Sequence, residues 1–109
     1  MKERMEEKRF SEMSEFELRT EIGRLNEKAK KAEQLGRTNE FAVYERRMLM
    51  AQAYLLNPED FQPGATYSIL DGDETFQISY MNGRFAWGYR NNQTSLEAVP
   101  ISLLGKKIN

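Results

Sequence analysis

The densest run of chemistry-bearing side chains in this sequence is residues 81–90, M-N-G-R-F-A-W-G-Y-R. Phe85, Trp87 and Tyr89 alternate there with Ala86 and Gly88, and Arg84 and Arg90 bracket them. Together with Tyr67, Phe76 and Tyr80 upstream, these aromatics have the chemistry of a platform for stacking single-stranded nucleic-acid bases, or of a groove for a proline-rich peptide. The competing explanation carries more weight: a small domain needs most of its large side chains for its own core. Trp87 and Tyr89 are the expected exceptions, because an indole N–H and a phenol O–H seek a polar outlet. Arg84 and Arg90, with Lys106 and Lys107 near the end of the chain, make a modest basic patch conceivable. Four such charges would bind weakly and in a salt-sensitive way, and scattered surface charge ordinarily serves solubility. The candidate partner-binding residues are therefore Arg84, Trp87, Tyr89, Arg90 and Lys106.

Other chemistry is thinly represented. Asp71, Asp73 and Glu74 lie in a D-G-D-E run without the twelve-residue ligand series of a calcium loop, and turn formation accounts for them better. Histidine and cysteine are both absent. That removes the usual zinc ligand sets, Ser-His-Asp and Cys-His nucleophile systems, and an imidazole proton shuttle. No cofactor or metal site and no catalytic residue is expected, so the chain reads as non-enzymatic.

With 109 residues and a formal net charge of −1, the chain is one small domain or a small domain with an appended helical element, and not a strongly basic polyanion binder. Residues 1–60 hold 12 of the 16 Lys and Arg and 13 of the 17 Asp and Glu, so the front half reads as solvent-facing helix and the back half as β-rich. The amino-terminal residues contain no apolar signal region, and no run reaches the roughly 18 apolar residues of a membrane helix. A soluble cytoplasmic protein without membrane contact is expected.

The elements that must position these residues begin with a charged arm, residues 1–13, anchored only by Phe10 and Met13. Ser14 and Glu17 form a capping box, with Met13 and Leu18 as a hydrophobic staple. Leu18, Ile22, Leu25, Ala29 and Ala32 then make a narrow coiled-coil-like stripe that Gly36 stops. Thr38 or Asn39 can cap a second helix, which should run from Phe41 to Leu56 and turn back antiparallel, its seam made by Phe41, Tyr44, Met48, Ala51 and Leu55. This second helix is apolar almost all round and reads as the central strut of the chain. Val43, Met50 and Tyr54, on a further side, are the candidate self-association residues. Arg46 and Arg47 are expected to pair with Glu15, Glu17 or Glu21 across the hairpin.

Asn57-Pro58 should end the helix. Period two then takes over, with strands expected at 66–70, 75–81 and 84–90, and 96–104, split by Pro100, offers two short closing strands or a strand and a turn. Asn82-Gly83 reads as a two-residue hairpin turn. Counting outward from it pairs Tyr80 with Phe85, Ile78 with Trp87 and Phe76 with Tyr89 on one bulky face, and leaves Gln77, Ser79, Ala86 and Gly88 on a small one. Five short strands in about 45 residues suggest a curled SH3-like barrel. The expected organisation is α+β: an antiparallel helical hairpin over 14–57, then an SH3-like barrel over 62–105 packed on the second helix as one compact unit.

E-K-A-K-K-A-E-Q at 27–34, N-E-F-A-V-Y-E-R-R at 39–47, M-A-Q-A-Y-L-L-N-P-E-D-F at 50–61, F-A-W-G-Y-R at 85–90 and P-I-S-L-L at 100–104 resemble the YfhH-like family of small bacterial proteins. The resemblance covers about residues 8–104. It implies a helical hairpin followed by an SH3-like barrel, brings no catalytic residues, and carries a loose label of transcriptional regulator. The leading expectation is a non-enzymatic binding or adaptor module for a protein partner, able to form a homo-oligomer. The alternative is a transcription-associated nucleic-acid binder using the aromatics with Arg84, Arg90 and Lys106.

Overall fold

Ser14 sets the start of the first helix. Its Oγ accepts the Glu17 N–H at 3.1 Å while Glu17 Oε1 accepts the Ser14 N–H at 2.9 Å, the reciprocal box expected of this spacing. The computed structural model describes residues 8–70, 72–91 and 93–109. Positions 1–7 of the charged arm and the carboxylate of Asp71 lie outside them. Helix α1 spans Glu15–Gln34 and buries Leu18, Leu25, Ala29 and Ala32 of the expected stripe, with Ile22 half-buried. It closes on a Schellman turn: Gly36 takes φ 72°, the Arg37 N–H donates to Ala32 O at 2.8 Å, and the Gly36 N–H donates to Glu33 O at 3.1 Å.

That turn is so tight that α2 (Thr38–Ala53) starts immediately, with Arg37 and not Thr38 or Asn39 at its N-cap and no side-chain cap bond. The two helices pack on each other, as the hairpin reading required. Helix α2 stops at Ala53 and not at Leu56. The Tyr54 and Leu55 N–H groups donate to Ala51 O at 3.1 Å and Gln52 O at 3.0 Å, the three-residue spacing of a tightening end. Asn57, extended as a residue before proline must be, then caps a 3-10 turn, Pro58–Asp60, through Oδ1 on the Glu59 N–H at 3.0 Å. Before α1, the 3-10 turn Phe10–Glu12 lays the Phe10 ring 6.5 Å from that of Tyr54.

Arg46 and Arg47 do not form the expected cross-hairpin pairs. Glu15, Glu17 and Glu21 are bonded instead by Arg19, Lys8 and Arg24. Arg47 lies over the Phe10 ring, 5.6 Å from its centre. For Glu15 and Glu21 the helix geometry itself brings the i,i+4 and i,i+3 partners Arg19 and Arg24 together, whereas Lys8 reaches Glu17 from the segment before α1.

The chain divides into two compact units at Leu55 and Leu56. In the second unit, β1 (Thr66–Ile69), β2 (Thr75–Asn82), β3 (Phe85–Arg90), β4 (Glu97–Pro100) and β5 (Leu104–Lys107) form an antiparallel sheet of order β4-β3-β2-β1-β5. Tyr67, Ile69, Phe76, Ile78, Ala86, Val99, Ile101 and Leu104 make its buried core. The fold class is thus α+β, helices before an antiparallel sheet. The sheet is open: β4 and β5 are its two edges and do not pair, so the closed barrel expected from the strand count is not present in the ladder. The sheet is nevertheless curled. Laid flat, its outer strands would stand about 19 Å apart, four strand spacings. They are joined by the 3-10 turn Ile101–Leu103, whose rise of about 2 Å per residue spans less than half of that.

The β2–β3 hairpin departs from the expected register. The turn residues are Gly83 and Arg84, with Gly83 at φ 61°, so Asn82 pairs with Phe85. Among the described residues Asn91 is the only non-glycine at positive φ, so Asn82 does not enter the conformation an Asn-Gly turn needs, and the glycine-first two-residue turn forms instead. Met81 then pairs with Ala86 and Tyr80 with Trp87; a bulge follows at Ser79, after which Ile78 faces Gly88, Gln77 faces Tyr89 and Phe76 faces Arg90. Two bonds from the preceding loop pin Ile78 from its other side, with its carbonyl accepting the Gly64 N–H at 2.7 Å and its N–H donating to Ala65 O at 3.0 Å. A Cβ on Gly88 would overlap the Gln77 carbonyl, so only glycine admits this approach.

Candidate functional site

The bulge redistributes the aromatic side chains. Because side chains alternate along a strand, one extra residue on β2 sends Tyr80 to the face opposite Phe76 and Ile78. The inner face takes Phe76, Ile78, Ala86 and Gly88, all buried, together with Tyr67, whose hydroxyl accepts the Gln62 N–H at 2.9 Å. The outer face takes Tyr80, Phe85, Trp87 and Tyr89, none of them buried. Tyr80 is 45% exposed and its ring lies parallel to the indole of Trp87, with centroids 5.9 Å apart and an interplanar angle of 4°. On β4, Ala98 registers with Trp87 and Pro100 with Phe85, which extends the apolar strip by a strand. Beside Tyr89, a shallow depression of about 370 Å³ is lined by Gln77, Gln93 and Thr94. The single bulky face expected for this hairpin is therefore split in two; Trp87 and Tyr89 are half-buried, as is Phe85, and Tyr80 is the most exposed of the four.

The candidate cations are not gathered around this strip. Arg90 registers with Phe76 and is claimed by two carboxylates: its Nε bonds Glu97 Oε2 at 2.7 Å and its Nη1 bonds Glu74 Oε1 at 2.9 Å. The Glu97 bond raises its pKa above the ordinary value; partial burial opposes this, and the Glu74 bond adds to the rise. Arg84 occupies the hairpin turn, half-buried, with its carbonyl accepting the Ile101 N–H at 3.0 Å. Lys106 lies within β5, not beyond the last strand, and β1 and β2 separate it from β3 in the ladder. Its backbone N–H donates to Ser68 Oγ at 2.9 Å. From Leu56 onward the sequence carries Arg84, Arg90, Lys106 and Lys107 against Glu59, Asp60, Asp71, Asp73, Glu74 and Glu97, an acidic balance.

In the helical unit, Val43 is 43% exposed, whereas Met50 and Tyr54 are half-buried and Tyr54 is turned towards Phe10. This unit also holds a feature that sequence reasoning missed. An open groove of about 430 Å³ runs along α1, lined by Phe10, Met13, Phe16, Glu17, Glu21 and Arg47 among others. Phe16 is 78% exposed. The available signal was a large aromatic two residues from the start of the apolar stripe, on the face the periodicity assigns to solvent. Among the described residues no cluster of His, Cys, Asp or Glu could hold a metal ion, and no helix is long and apolar enough to cross a membrane.

Residues 8–105 match the model of a family described as "Protein of unknown function (DUF1811)". The chain belongs to that family. It is also 57% identical over 102 residues to "Uncharacterized protein YfhH" of Bacillus subtilis (strain 168), an alignment covering 93% of this chain and 98% of the relative. The DUF1811 span takes in both helices and all five strands except the end of β5, so the aromatic strip and the helical groove are both features of a family member over its matched length.

Proposed function

We propose that this DUF1811 protein is a non-enzymatic binding or adaptor module of the cytoplasm, holding an extended segment of a protein partner on the outer aromatic strip of its β unit. The observation that carries this reading is the Tyr80–Trp87 stack on the outer face, with Tyr80 exposed and Trp87 half-buried. Rigid aromatic side chains offer large contact area at little entropic cost, and proline-rich or otherwise apolar extended segments dock on strips of this kind. The reading of the β unit as SH3-like rests on the short 3-10 link that draws the two outer strands of the curled sheet together. Self-association through the exposed side of α2 around Val43, with Met50 and Tyr54, belongs to the same reading.

A transcription-associated nucleic-acid binder would use the same strip for base stacking, with Arg84 and Lys106 supplying charge. It ranks second because Arg90 is engaged by Glu97 and Glu74 and the surrounding chain is acidic. A pull-down from native cytoplasm, with and without nuclease, separates the two. A protein retained after nuclease treatment, and lost when Trp87→Ala or Tyr80→Ala bait of unchanged circular dichroism replaces the wild type, is the expected result. Retention by both variants would overturn the assignment of the strip, and loss on nuclease treatment would favour nucleic acid. Trp87 is the sole tryptophan, so its fluorescence reports occupancy directly.

A further inference from the structure

The groove of the helical unit combines an apolar floor with an arginine whose donors remain available. Phe10, Met13 and Phe16 supply the apolar surface. Both carboxylates in the wall are already committed. Glu17 accepts from Lys8 Nζ and from the Ser14 N–H, each at 2.9 Å, and Glu21 is held by Arg24. These bonds lower both carboxyl pKa values, the Ser14 N–H leading for Glu17 and Arg24 for Glu21, so both stay ionised and occupied at neutral pH. Arg47 is placed differently. Among the described residues it forms no salt bridge, and it lies over the Phe10 ring at 5.6 Å. The contact with Phe10 is a cation–π approach and takes up no hydrogen-bond acceptor, so the Arg47 donors can still be claimed by a carboxylate.

We propose that this groove docks an acidic, apolar peptide segment of a protein partner: an apolar side chain seats against Phe16, Met13 and Phe10, and a neighbouring carboxylate takes the fork of Arg47. Charge complementarity selects an acidic segment over a basic one. Among the lining residues Lys8, Arg24 and Arg47 stand against Glu17 and Glu21, one positive charge in excess. The groove belongs to the helical unit, and the proposal does not rest on the aromatic strip.

The test uses the full-length protein, ¹⁵N-labelled, titrated with acetyl-Leu-Glu-Phe-Glu-amide and with its neutral counterpart acetyl-Leu-Gln-Phe-Gln-amide. The acidic peptide is expected to shift the amides of Phe10, Phe16, Thr20 and Arg47 and to bind about tenfold more tightly than the neutral one, with the difference reduced by added salt. Arg47→Gln should weaken the acidic peptide about tenfold, Arg47→Lys should recover part of that loss, and Phe16→Ala should weaken both peptides. Arg46→Gln should leave the titration unchanged. Equal affinity for the two peptides, insensitivity to Arg47→Gln, or shifts confined to the β unit would overturn the proposal. So would a concentration-dependent dimer that Arg47→Gln dissolves, because the occupant would then be a second copy of this chain.

Discussion

Glu17 shows how much one side chain can be asked to do. Its carboxylate closes the capping box on Ser14 and anchors Lys8, and both bonds favour the charged form, so its pKa lies below the ordinary 4.5. A carboxyl depressed in the folded state contributes stability that is fully present above its unfolded value and is lost as pH falls through the folded one. Glu21, lowered chiefly by Arg24, adds to the same window. Thermal stability of the wild type should therefore fall as pH drops from about 5 to about 3, and Glu17→Gln, which keeps an acceptor for the box, should flatten that dependence. Ser14→Ala should lower stability by about 1 kcal/mol at neutral pH. A pH profile unchanged by Glu17→Gln would mean that the box contributes through geometry alone.

Among the elements, the β2–β3 hairpin decides what the protein shows to its surroundings. Its bulge at Ser79 keeps Phe76 and Ile78 inside while turning Tyr80 outward onto Trp87, and Gly88 is the residue that lets β3 come close enough to pair on both sides of the bulge. Gly88→Ala should destabilise the fold by about 3 kcal/mol in urea unfolding, at the upper end of overpacking costs because the obstacle is backbone. The contrasting glycine is Gly23 on the exposed side of α1, with no atom within 4 Å of an added Cβ. Gly23→Ala should stabilise by about 1 kcal/mol. If the two substitutions had equal effects, the account of the bulge would be wrong.

At the scale of the whole molecule, the question is whether surplus apolar surface on α2 holds copies together. Val43 contributes the exposed part of the proposed self-association surface, whereas Met50 and Tyr54 are half-buried and Tyr54 is partly engaged by Phe10. Association through so few side chains should be weak and concentration-dependent. Sedimentation velocity of the wild type should show rising weight-average mass with concentration, and Val43→Glu should hold the protein monomeric. A strict monomer at high concentration would remove self-association from the proposed function without touching the aromatic strip.

The sequence by itself determined the capping box at Ser14 and Glu17, the stop at Gly36, the α1 stripe, the α+β order and the absence of histidine and cysteine chemistry. These rest on local hydrogen bonding, on periodicity or on composition, all readable within a few residues. The end of α2, the hairpin register and the groove at Phe16 were settled only by tertiary structure. In the hairpin, Asn82-Gly83 offered a turn, but the loop bonds of Gly64 and Ala65 to Ile78 and the fit of Gly88 against Gln77 chose the neighbouring one and required the bulge. A slip of one residue exchanges the two faces of a strand, so distant backbone contacts decided which aromatics became core and which became surface.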